Sequence, residues 1–81
     1  MKLIYDYFDY EDNYAPDFMG DRQEALILVD YLKNKGYTYI QKKDKSIFKK
    51  DNRTFVGVGE TEAEAITKAF ATYLRSFKCE K

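Results

Sequence analysis

Two groups of side chains in this 81-residue chain carry chemistry, and both are suited to binding. The first is Tyr5, Asp6, Tyr7, Asp9, Tyr10, Glu11, Asp12 and Tyr14, where carboxylates alternate with phenol rings. Carboxylates spaced this way imitate the negative surface of a nucleic acid, and acidic charge speeds encounter with basic grooves. Tyrosine is favoured at binding hot spots, so the rings would serve as anchors. The bland alternative is that this acidic arm neutralises the chain's own lysines. The second group is Lys42, Lys43, Lys45, Lys49, Lys50 and Arg53, interleaved with Tyr37, Tyr39 and Phe48. Bases can track a phosphate backbone while rings stack on nucleobases. Here the bland alternative is lysine protecting a sheet edge.

Catalysis is disfavoured by inventory. There is no histidine, so the commonest general base at neutral pH is missing. Cys79 lies two residues from the end, outside any evident cleft, and reads as an ordinary thiol. Asp9-Tyr10-Glu11-Asp12-Asn13 lacks the ligand spacing of a calcium loop and reads as a solvated acidic loop. Gly57-x-Gly59 before a helix has the look of a phosphate cradle, but Glu60, Glu62 and Glu64 would repel phosphate there. A bend that packs helix on strand is the simpler reading. The expectation is therefore a non-enzymatic protein with no cofactor and no metal.

The length implies one domain, which buries only about 60–65% of its unfolded surface. Net charge is zero, yet it is unevenly placed. Residues 1–24 hold seven acids and two bases, a net of −5, whereas residues 30–53 hold eight bases and three acids, a net of +5. Such segregation points to electrostatic recognition. The lone cysteine forms no internal disulfide, and Met1 to Tyr5 reaches Asp6 without the apolar stretch of a signal peptide. The longest apolar run, Ala25 to Val29, is far too short to span a membrane. A cytoplasmic protein that does not engage membranes is the default expectation.

These residues need elements to position them. Lys2 to Phe8 has the aromatic and β-branched content of an edge strand. Residues 9–20, with Asn13, Pro16 and Gly20, read as loop, and the arm over residues 1–20 is either packed or a mobile tail. The single domain then covers residues 21–81. Asp21 with Glu24 opens a helix whose face is Ala25, Leu28, Val29 and Leu32, ended by Asn34-Lys35-Gly36. Strands are expected over Tyr37–Lys43, Ser46–Lys50 and Arg53–Val58, with turns at Asp44-Lys45 and Asp51-Asn52. Lys42 to Phe48 echoes Lys49 to Phe55 at a period of seven, as two successive hairpin turns would. Thr61 with Glu64 caps a second helix, along which Ile66, Ala69, Phe70, Tyr73, Leu74 and Phe77 recur at helical spacing. The expected fold is α+β, a helix, a three-stranded antiparallel meander and a helix, with an N-terminal edge strand making the sheet four-stranded if it pairs. The expected core is Leu28, Val29, Leu32, Ile40, Phe48, Val56, Val58, Ile66, Ala69, Phe70, Tyr73 and Leu74.

Two family resemblances follow. Gly57, Gly59, Thr61, Ala65 and Ala69 match scaffold positions of the double-stranded-RNA-binding domain. Glu62, Ala63 and Ile66 replace its phosphate-contacting lysines, so that resemblance is to the frame and not the RNA surface. Gly57, Gly59, Thr61, Glu64, Ala65, Ile66 and Ala69 also resemble the phage ABA-sandwich domain, which implies a phage-type protein and no known reaction. The function expected first is a protein-binding module, an inhibitor of a host nuclease or defence protein akin to anti-CRISPR proteins, with its acidic aromatic arm on a basic partner surface. The second is a nucleic-acid-binding domain using the lysine meander. The third is a small homo-oligomer, such as a homodimer, that self-associates through the first helix.

Overall fold

The computed structural model describes residues 2–8 and 17–79. Its elements are α1 (Lys2–Phe8), α2 (Arg22–Asn34), β1 (Thr38–Lys42), β2 (Lys45–Lys50), β3 (Arg53–Val58) and α3 (Glu62–Cys79). The strands form one antiparallel sheet in the order β1-β2-β3. The helix–meander–helix order is thus the expected α+β frame, preceded by a short extra helix.

Local chemistry accounts for each boundary. Asp21 caps α2 by accepting from the Gln23 amide at 2.9 Å. At the other end Gly36 takes a φ of 95°, and its amide donates to Lys33 O while the Tyr37 amide donates to Leu32 O, both at 3.0 Å. This paired pattern is a Schellman motif, which a glycine at that position makes cheap. Thr61 Oγ1 accepts from the Glu64 amide at 3.1 Å and so caps the first turn of α3, while Glu64 Oε1 reaches back to accept from the Glu60 amide, one residue before the cap, at 2.9 Å. The first hairpin turn is Lys43-Asp44, because Lys42 pairs with Lys45; it lies one residue earlier than the sequence suggested. In the second hairpin Asp51 takes the left-handed region, φ 51°. Phe48 and Phe55 stand opposite each other on β2 and β3.

Two expectations need correction. Lys2–Phe8 is a helix and not an edge strand. Ile4 is buried, with Tyr5 and Phe8 packed against the same core; Ile4 and Phe8 are four apart and share a helical face. The arm is also less separate from the domain than residues 1–20 suggested. Phe18 is wholly buried, and Thr67 Oγ1 on α3 donates to Phe18 O at 2.8 Å. Burying a phenylalanine side chain is worth about 2–3 kcal/mol, so this part of the arm belongs to the core.

The second correction concerns β3. Phe55 and Gly57 face the helices, while Val56 and Val58 are 41% and 51% exposed and Ile40 is 36% exposed. The reason lies at Gly57. A Cβ there would stand 2.1 Å from Ala65 O and 2.2 Å from the Ala69 amide nitrogen. Alanines on α3 and a glycine on β3 let helix and strand meet backbone to backbone. With a side-chain period of two, an inward Gly57 turns Val56 and Val58 outward. The remaining expected core residues, Leu28, Val29, Leu32, Phe48, Ile66, Ala69, Phe70, Tyr73 and Leu74, are buried, joined by Ala25, Tyr37 and Ala63.

Candidate functional site: the open face of the sheet

The helices α2 and α3 cover one face of the sheet, and among the described residues no element covers the other. The ladder register lays out that open face in three cross-strand rows. The central row is Ile40, Ile47 and Val56, paired in register. One flanking row is Thr38, Lys49 and Thr54; the other is Lys42, Lys45 and Val58. An apolar row thus crosses the sheet, continues to Val58 along β3, and is bracketed by Lys42, Lys45 and Lys49. Among the described residues none of these lysines forms an ion pair. Among the described strand residues on this face none is acidic. Beside Ile40 a shallow depression is lined by Gly36, Thr38, Ile40, Lys49, Lys50 and Asp51.

The predicted basic group is therefore divided. Lys42, Lys45 and Lys49 come together on the open face. Lys43 sits in the first turn. Lys50 turns toward the helical side, where Nζ donates to Lys35 O at 2.7 Å and lies 5.5 Å from the centre of the Tyr37 ring. Arg53 opens β3 and lines a second depression with Tyr37, Lys50, Asp51 and Asn52. The aromatics expected beside these bases do not share the open face. Tyr37 and Phe48 are buried, and Tyr39 is half-buried, its ring stacked 5.2 Å from Phe48. Tyr39 donates to Gln41 Oε1, which also accepts from the buried Ser46 hydroxyl. These rings support the sheet from beneath and offer no stacking platform.

The acidic aromatic group is placed only in part. Asp9, Tyr10, Glu11, Asp12 and Tyr14 lie outside the described residues, and Asp6 lies within α1. The rings of Tyr5 and Phe8 on α1 pack against the core. Tyr5 packs 5.8 Å from Phe18, while Phe8 stacks on Phe70 at 5.6 Å and meets Tyr31 edge-on at 5.1 Å. Tyr7 stays 42% exposed and shares a hydroxyl–hydroxyl hydrogen bond with Tyr31. That bond, followed by burial, raises the Tyr7 pKa. Burial raises Tyr73 further, assisted by the neighbouring phenols of Tyr7, Tyr31 and Tyr37. Burial also raises Tyr39 and, together with the Asp17 carboxylate, Tyr5.

The Gly57-x-Gly59 entry is occupied by packing. Gly57 faces the α3 backbone, and the Glu64 side chain lies where a Gly59 Cβ would stand. The open-face row itself was legible in principle: an inward Gly57 dictates an outward Val56, and pairing then aligns Ile47 and Ile40 with it. No known protein family, curated protein or solved structure matches the chain.

Proposed function

We infer that the chain is a non-enzymatic protein-binding module whose binding surface is the open face of the sheet. One observation carries this reading: Ile40, Ile47 and Val56 are aligned across all the strands, with lysines on both sides and no aromatic ring among them. An apolar centre with a charged rim is the anatomy of a protein interface. A nucleic-acid surface would place rings or hydrogen-bonding groups between its bases, and here aliphatic side chains hold that place. The acidic arm remains the alternative surface, with a basic partner and the inhibitory role that it implies.

The test compares variants of the whole chain in a quantitative pull-down. Replacing Ile40, Ile47 and Val56 together by serine is expected to abolish capture of whatever the native chain retains, with the far-UV circular dichroism unchanged. Replacing Asp6, Asp9, Glu11 and Asp12 by Asn or Gln is expected to leave capture intact. The opposite pattern would return the site to the arm. Salt-sensitive, micromolar binding of an oligonucleotide, lost on Lys42→Glu and Lys49→Glu, would favour the nucleic-acid alternative.

A further inference from the structure

We propose that the open face receives an acidic amphipathic helix of a partner protein, laid across the strands along the Ile40–Ile47–Val56 row; this rests on the open-face reading above.

Spacing argues for a helix. Adjacent strands lie about 4.8 Å apart, so the row is about 10 Å long. Helix positions i, i+4 and i+7 share a face and span about 10.5 Å at the usual rise per residue. Three apolar side chains of one helix therefore meet Ile40, Ile47 and Val56 in turn. An extended segment would dock differently, because it gains its affinity from main-chain bonds to a strand edge. Bonds of that kind are offered at the outer edges of β1 and β3, not along the Ile40–Ile47–Val56 row, which crosses the strands and presents side chains.

Charge argues for acidity. Lys49 lies on one side of the row, and Lys42 and Lys45 lie on the other. Carboxylates flanking the apolar stripe of the incoming helix would meet both sides. A second copy of this chain docked face to face would instead set lysines against lysines. With few apolar contacts the interface is small, so the complex is transient and strengthened by charge.

The test uses a synthetic helix-stabilised peptide with leucine at i, i+4 and i+7 and glutamate on both flanks. Its controls are a scrambled peptide and a counterpart with lysine for glutamate. Amide shift mapping and fluorescence anisotropy are read on the full chain. The glutamate peptide is expected to bind at least about tenfold tighter than either control. Shifts should centre on Ile40, Ile47, Lys49 and Val56, and affinity should fall with added salt. Lys42→Glu, Lys45→Glu and Lys49→Glu together should reverse the preference toward the lysine peptide. If that variant misfolds, Lys→Gln at the same positions should remove the preference without reversing it.

Equal binding of the scrambled peptide, shifts confined to α2 or α3, or displacement of the peptide by an oligonucleotide on the same residues would overturn the proposal. So would self-association of the native chain through this face in sedimentation. If the peptide fails but the serine variant still loses its captured protein, the open face stands and the helical occupant is wrong. If the serine variant also keeps its capture, both readings fall.

Discussion

Gly57 is the residue on which the helix–sheet contact closes. A methyl group there meets the α3 backbone on two sides, at Ala65 O and at the Ala69 amide, and neither can swing away. Gly57→Ala is expected to cost about 3 kcal/mol or more in urea unfolding, at the upper end for overpacking. At Gly59 the obstacle is the Glu64 side chain, which can change rotamer, so Gly59→Ala should cost distinctly less. The tyrosines give a residue-scale prediction of a different kind. Tyr5, Tyr7, Tyr39 and Tyr73 all have folded pKa values raised above the ordinary 10.0. Well below pH 10 both folded and unfolded states hold the phenolic protons, and the full stability is present. Above it the unfolded chain loses protons that the folded chain retains, so stability falls as pH rises. Denaturation midpoints should be level from pH 7 to about 9.5 and drop steeply above 10, and phenolate absorbance should rise together with unfolding.

Among the elements, α1 depends most on its surroundings. Seven residues are too few for a helix that is stable in isolation, so burial of Ile4 and packing of Tyr5 and Phe8 must hold it. Ile4→Ala is expected to cost about 2–4 kcal/mol in chemical denaturation. A neutral outcome would mean that α1 is not docked. The sequence hid this helix because its aromatic and β-branched residues favour strands, and only the Ile4–Phe8 spacing spoke for a helix. The caps were far more legible: Asp21, Gly36, Thr61 and Glu64 act locally, and local chemistry can be read along a chain. Inward and outward faces of β3 were not legible from hydrophobicity, because Phe55 and two valines compete for one core. The contact made by Gly57 decides between them, and that contact spans two elements. The lysine meander was visible as a cluster, but which bases share a face depended on a turn one residue earlier than expected.

For the whole molecule, the asymmetry between the two sheet faces makes a direct prediction. Phe48→Ala, on the covered face, should cost about 3–5 kcal/mol. Val56→Thr, on the open face, keeps a β-branched side chain and should change stability by no more than about 0.5 kcal/mol. Equal costs in urea titrations would mean that something covers both faces. The salt link between Arg22 and Glu62, 2.6 Å long, joins the starts of α2 and α3 at the surface, away from the open face.

The chain's connectivity also sets an order of events in time. The strands β1, β2 and β3 and the helix α3 are sequence neighbours that pack on one another, so they can assemble by closing short loops. Reaching α3 from α1 requires closing a loop that contains the whole meander, and Thr67 meets Phe18 across a separation of 49 residues. Loop closure entropy delays such contacts. Substitutions at Gly57 should therefore slow refolding, whereas Ile4→Ala should chiefly hasten unfolding. In native-state hydrogen exchange the amides of α1 should open at lower free energy than those of β2. The N-terminal helix is then a latch, the last piece to close and the first to release.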